Sequence, residues 1–366
     1  MKIIFDKSDL MNSINIVLKA VPSKTTMSIL ECIHIDAYGD EVKLTANDME
    51  LGIETKVKAE IIEKGSIAID AKFFSEIIRK LPDSEVIIET DSSLQMSITC
   101  ENAHFKISGK PGEDFSALPD ISKDKFIYIS QFSLREVIRQ TIFSIAPADS
   151  SNKVMTGILF EIKDGILKVC SLDGHRVSLR KINLKESFDY LKVIVPGKTL
   201  NEISKILNGN VEDEVRIFFT DNHILFEFDY TIVVSRLIEG SYFDVERMLS
   251  NDYETKIKVN KKDFTNCIDR ATLLVKESDR KPIVFSITDG GIELKIVSAI
   301  GSMNETIDIE KEGKDLMIGF NPKFLLDTLK VIDDEYLSIY FLNSKAPMYM
   351  KNDEDTYNYL ILPVAM

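Results

Sequence analysis

Apolar positions along the chain switch between two periods. Three decapeptides, KFFSEIIRKL (72–81), KTLNEISKIL (198–207) and KFLLDTLKVI (323–332), carry apolar residues at the 3.6-residue spacing of one helix face. In the first, Phe74, Ile77, Ile78 and Leu81 form that face. Each decapeptide opens on a lysine (Lys72, Lys198, Lys323), has an acid four residues on (Glu76, Glu202, Asp327) and a base at its eighth position (Arg79, Lys205, Lys330). The offsets are 126 and 125 residues. A second helical pattern recurs in SDLMNSINIVLKAV, SLREVIRQTIFSIA and KDFTNCIDRATLLV, on the pairs Leu10–Ile14, Leu134–Ile138 and Phe264–Ile268. After each of these the period falls to two. CIHIDAYGDEVKLTA, ILFEIKDGILKVCSL and IVFSITDGGIELKIVS read as strand pairs around Gly/Asp turns. EVIIETDSSLQMSIT and EVRIFFTDNHILFEF continue the alternation.

A fixed long period means repeated folding units. Each unit reads helix, hairpin strands, helix, further strands, over roughly 120 residues. The expected domains are 1–124, 125–252 and 253–366, with KPGEDFSALPDISKD and EGSYFDVERMLSNDYE as connectors. The fold class is α+β, two helices per repeat packed on antiparallel sheets. Three ordinary helices matching by chance is the alternative.

Composition leaves this picture intact. A chain of 366 residues with 44% apolar and 28% charged content can build two or three ordinary cores. The sequence has no 18-residue apolar run, and MKIIFDKSDLMNS lacks signal-peptide features, so no membrane span is expected. Cys32, Cys100, Cys170 and Cys267 form no C-x-x-C pair and read as buried, reduced thiols of a cytoplasmic protein.

Charge changes the picture more. A net charge of −14 argues against nucleic acid. Yet the six helical segments (7–20, 71–80, 131–145, 197–208, 260–274 and 321–332) are each basic and total +7, leaving −21 for the rest. Solvated helix faces are the plain explanation for any one of them. Six of one sign fit helices that face a polyanion loosely, with Glu76, Glu202 and Asp327 limiting the field, and an acidic exterior that repels it. Weak phosphate contacts of that kind allow sliding.

Specific stretches add a resemblance over the whole length. TTMSIL (25–30), AKFFSEIIRKLP (71–82), GILFE (157–161), SLDGHRVSL (171–179), VIVPGKTLNEI (193–203), IGFNPKFLLDTL (318–329) and the terminal YLILPVAM carry it. The chain resembles the bacterial DNA polymerase III beta subunit, the DNA sliding clamp. The resemblance implies three DNA-clamp domains closing to a six-domain ring as a head-to-tail homodimer. It implies a processivity factor without catalytic activity, encircling double-stranded DNA without sequence preference. Its expected partners are the replicative DNA polymerase catalytic subunit, clamp-loader subunits, translesion polymerases and mismatch-repair proteins, with no cofactor, no metal and no membrane.

Three motifs invite other readings. Asp173-Gly174-His175-Arg176 could be a proton relay. However, TANDMELGI and SAIGSMNET, at the equivalent positions of the other repeats, keep neither the His nor the Arg. A strand-connecting turn, plain or used for binding, is the competing reading. Pro196-Gly197-Lys198-Thr199 mimics a P-loop but has Lys192 where the first glycine is needed. His34, His104, His175 and His223 lack metal-ligand spacing. An enzyme built on Asp173, His175 and Arg176, or a monomeric protein-binding scaffold, are the alternative functions.

By residue-wise resemblance, a partner-peptide groove is expected from Met155, Leu172, Gly174, His175, Arg176 and Val177. Phe243 and Met248 join from the second connector, and Asn321, Phe324 and Met348 from the third repeat. The tail supplies Leu360, Ile361, Leu362, Pro363, Val364 and Met366, which could instead be a final core strand. Phe243 replaces a proline common in the family, and the end Val-Ala-Met lacks a basic residue, so fine specificity is expected to differ. DNA-facing candidates are Lys24, Arg79, Lys80, Arg139, Lys198 and Lys205. Candidates for the dimer interface are Lys72, Phe105 and Ile107 against Leu273 and Leu274 of a second chain.

Overall fold

The computed structural model describes residues 1–186, 188–249, 252–275 and 281–365. Six α-helices lie among them: α1 Lys7–Val17, α2 Ala71–Lys80, α3 Gln131–Arg139, α4 Gly197–Ile206, α5 Lys261–Thr272 and α6 Pro322–Leu329. Each falls within one of the six segments expected to be helical. α3 is shorter than expected. The Thr141 hydroxyl donates back to the Val137 carbonyl (2.7 Å), the Thr141 backbone leaves the helical region (φ −126°), and a 3-10 turn, Ile142–Ser144, follows.

One expectation is corrected. Each repeat opens with a strand, not a helix: Lys2–Asp6, Phe126–Ser130 and Thr255–Asn260. The last residue of each strand caps the helix that follows. Asp6 accepts from the Ser8 and Asp9 amides, Ser130 Oγ from the Ser133 amide, and Asn260 from the Lys262 and Asp263 amides. These bonds satisfy amide groups that the first helical turn leaves open.

The chain packs as two compact units that cut across the repeats, Met1–Leu134 with Glu202–Leu237, and Arg135–Asn201 with Ile238–Met366. The first holds a five-stranded sheet ordered Ala59–Glu63, Lys2–Asp6, Glu85–Thr90, Gln95–Cys100, Ala103–Ser108. Its second sheet has nine strands. Lys110–Pro111, Ser66–Asp70, Cys32–Asp36, Val42–Asn47 and Leu51–Val57 come from the first repeat. Thr231–Arg236, His223–Phe228, Glu214–Phe219 and Phe126–Ser130 come from the second. The join is antiparallel, with Val233 opposite Ile53 and the Thr55 and Thr231 hydroxyls 2.9 Å apart.

The second unit repeats this plan. Leu191–Pro196, Gly157–Lys163, Ile166–Leu172 and Arg176–Asn183 meet third-repeat strands Tyr357–Ile361, Met348–Lys351, Tyr336–Phe341, Thr255–Asn260 and Glu310–Gly313 in one nine-stranded sheet. A four-stranded sheet follows: Ser302–Ile307, Gly291–Val297, Ile283–Thr288, Leu316–Phe320. Between these sheets α5 and α6 pack on each other, burying Phe264, Ile268, Leu325 and Leu329 against Phe285, Phe320 and Phe341. In the first unit α1 packs on α2 in the same way. The four cysteines are buried and unpaired.

His34 stacks on Phe115, ring centroids 5.2 Å apart, with its Nε2 buried and unpartnered among the described residues. Burial holds its pKa below the usual histidine value, against a weaker opposing pull from Asp36 and Glu54. Unfolded His34 takes a proton below about pH 6.5 while the folded residue resists one. Its contribution to stability is therefore complete above that pH and declines as pH falls below it. Urea melts from pH 7.5 to 5 are expected to show wild type losing more stability than His34→Gln, with the gap widening toward pH 5.

Candidate functional site

The strand Tyr357–Ile361 is central in its sheet, between Arg176–Asn183 and Met348–Lys351. Alternation divides its side chains. Tyr359 and Ile361 enter the core with Phe264 and Phe341, while Leu360 turns to the opposite face, opposite Val177 and Tyr349. On that face Leu172, Val177 and Leu360 cluster with Tyr242 and Val245 of the second connector, which lies across them. The Tyr349 hydroxyl donates to the Met248 carbonyl at 3.2 Å, and Lys168 pairs with Glu246, pinning the connector to the sheet.

This packing leaves a groove of ≈320 Å³ lined by Met155, Leu172, Gly174, His175, Arg176, Val177, Phe243, Met248, Pro347, Leu360 and Leu362. Ten of the seventeen groove candidates lie in that lining. Pro347 was missed; only the pairing of the strand that begins at Met348 with the last strand brings it here. Met348 and Ile361 are fully buried in the core on the far side of the sheet. Asn321 caps α6, accepting from the Lys323 amide at 3.0 Å. Phe324 stacks on His175 at 5.8 Å beside the groove. Pro363 and Val364 lie beyond the strand end, where the Leu362 amide donates to the His175 carbonyl and the Val364 amide to the Gly319 carbonyl, both at 2.8 Å. Met366 lies outside the described residues.

The Asp173–Arg176 turn is held by its own first residue. Asp173 accepts from the amides of His175 (2.9 Å) and Arg176 (3.1 Å) and from Arg176 Nε (2.9 Å). Gly174 takes φ +88°, a conformation that suits glycine. The carboxylate is thus engaged by backbone and guanidinium, and the His175 ring is turned to Phe324, so no relay forms. Among the described residues no group of three or more His, Cys, Asp or Glu could hold a metal ion.

Arg176 is the most densely engaged side chain of the site. Besides Asp173 it donates to Asp327 of α6 (2.8 Å) and to the Phe143 carbonyl (2.5 Å). Its guanidinium lies 4.5 Å from the Phe324 ring centroid and 5.3 Å from that of Phe143. Only 9% of its side chain is exposed. Asp327, expected to limit the field of the basic helix face, is instead spent on Arg176.

The basic candidates divide. Lys24, Arg79 and Lys80 are exposed and form no ion pair among the described residues. Lys198 is exposed. Lys205 pairs with Glu202 (2.6 Å), and Arg139 is held by Glu136 (2.6 Å) and Asp333 (2.9 Å). Lys72 is exposed on α2. Phe105 and Ile107 lie on Ala103–Ser108, an edge strand, with Phe105 exposed. Leu273, just past α5, is 79% exposed, whereas Leu274 packs on the core of the second unit.

Residues 1–119, 128–244 and 246–365 match, in order, the N-terminal, central and C-terminal domains of the DNA polymerase III beta subunit. The chain belongs to the DNA polymerase III beta subunit family. It is 36% identical over 364 residues to the beta sliding clamp of Staphylococcus epidermidis, covering 96% of each chain. A solved structure from Eubacterium rectale, described as a putative DNA polymerase III beta subunit, superimposes with TM-score 0.97 at 60% identity, covering 100% of this chain and 99% of that one. The DNA polymerase sliding clamp from Bacillus subtilis gives TM-score 0.96 at 34% identity, with the same coverage. Membership in this beta subunit family fixes the fold as three clamp domains.

Removing Arg176 strands Asp173 and Asp327, and breaking a buried pair from one side is the costly case. Arg176→Met is expected to lower unfolding stability by about 3 kcal/mol in denaturant titration. Asp327→Asn, which leaves no stranded charge, is expected to cost less.

Proposed function

We infer that this chain is a DNA sliding clamp: a non-catalytic processivity factor that encircles duplex DNA and tethers the replicative polymerase. One observation carries the ring. Each internal join pairs the last strand of one half-sheet with the last strand of another, Leu51–Val57 with Thr231–Arg236 and Arg176–Asn183 with Tyr357–Ile361. By strand order, Ala103–Ser108 of the first repeat stands where Thr231–Arg236 and Tyr357–Ile361 stand in the others. Ser302–Ile307 likewise stands where Leu51–Val57 and Arg176–Asn183 do. Each unit therefore keeps one such edge without a partner strand among the described residues, Ala103–Ser108 in the first and Ser302–Ile307 in the second. A head-to-tail second copy would pair both, a heterologous contact that closes. Domains 1–124, 125–252 and 253–366 would then form a ring of six, with Lys72, Phe105 and Ile107 meeting Leu273 and Leu274 across each joint.

Lys24, Arg79 and Lys80 would supply loose phosphate contacts, with Lys205 and Arg139 contributing less because carboxylates already hold them, and Lys198 is a further exposed candidate. The apolar groove would take an extended peptide through a few anchors. Its methionines suit several occupants, so clamp loader, translesion polymerases and mismatch-repair proteins would compete with the polymerase. Tethering raises the effective concentration of polymerase at the template. A cytoplasmic location accords with this role, and no helix among the described residues is long and apolar enough to cross a membrane.

Two measurements test the reading. Sedimentation at micromolar concentration should give twice the 41.5 kDa chain mass, and Leu273→Asp should shift it to one chain mass. A wild-type value of one chain mass would sink the dimer. Protein loaded on circular DNA should survive high salt and be lost once the DNA is cut. Equal loss from intact and cut circles would overturn encirclement.

A further inference from the structure

We propose that the groove continues past Phe243 into a second compartment, which takes a hydrogen-bond-donating side chain of the same bound peptide. The proposal rests on the peptide-groove reading above. A cavity of ≈630 Å³ adjoins the groove on the same face of the sheet, beneath the connector. Phe243 is the one residue common to both linings, and the buried Tyr242 packs beside it over the Cys170 and Leu172 positions of the floor.

The floor runs on without a break. In the groove it is the cross-strand row Leu172, Val177, Leu360. Two residues along each strand, on the same face, the row Cys170, Leu179, Asn358 floors the cavity. An extended chain advances about 7 Å over two residues. A peptide seated in the groove thus reaches the cavity with the side chain about two positions from its anchor.

Asn358 supplies the chemistry. It is 6% exposed, lines the cavity, and its Oδ1 is buried with no hydrogen-bond partner among the described residues. A buried acceptor left unmade is a standing cost that an incoming N–H or O–H removes. The lining carries four lysines, Lys168, Lys181, Lys192 and Lys351, against five carboxylates, Glu161, Asp244, Glu246, Asp353 and Asp355, and Lys168 and Lys181 pair with Glu246 and Asp355, so the balance of charge does not favour an anion.

The test is selection of a random 12-residue display library on the intact protein and four variants. Wild type should enrich donor side chains (Gln, Asn, Ser, Thr, Lys, Arg) at least fivefold about two positions from an apolar anchor. Asn358→Leu should lose that preference while melting at or above the wild-type temperature. Asn358→Asp, nearly isosteric, should shift it to Lys and Arg. Phe243→Ala should admit bulkier residues there. Identical profiles for wild type, both Asn358 variants and Phe243→Ala would overturn the compartment. Leu362→Arg, on the groove rim, should recover no anchored peptides. If it recovers the wild-type set, the groove reading itself fails, independently of the compartment.

Discussion

A strand at the margin of a sheet presents backbone N–H and C=O groups that need partners, and this chain is organised around meeting that need. A four- or five-stranded half-sheet from one repeat would end in an open edge. Twice the edge is met by the neighbouring repeat, giving two nine-stranded sheets in place of four short ones. The compact units are consequently not the sequence repeats: each is built around one of these shared sheets.

The same junction creates the groove. Where Arg176–Asn183 meets Tyr357–Ile361, apolar residues of two repeats come side by side on the outward face. Arg176 fixes the corner by tying its own turn to α6 and to the Phe143 carbonyl. With its charge matched and its plane covered by two rings, it offers the groove a stem and not a free cation. The rest of the lining is largely apolar, with Phe243 and Met248 contributed by the connector.

Much of this was legible in the sequence because the signals are local and periodic. All six helices were visible from apolar spacing, as were the hairpins around Gly and Asp. The opening strands were not. KIIFD, FIYIS and TKIKVN are five or six residues long and run directly into capped helices, so no turn residue marks them off. Long-range partnerships were illegible for a different reason. That Asp327 is turned inward to Arg176, 151 residues away, depends on how α6 docks, not on any pattern near either residue. Met348 and Ile361 show the limit at its sharpest. Alternation hides every second residue of a strand, and a stretch matched as a block cannot say which ones.

The place of Tyr357–Ile361 also bears on how the protein is made. It is the latest strand in the chain, yet it sits in the middle of its sheet. During synthesis the second-repeat strands emerge first and must wait, their margin bare, while residues 184–361 are added. Only when residue 361 clears the ribosome can the seam be zipped. That interval is when a nascent chain would be most prone to pair with the wrong neighbour, and when a holding chaperone would matter most.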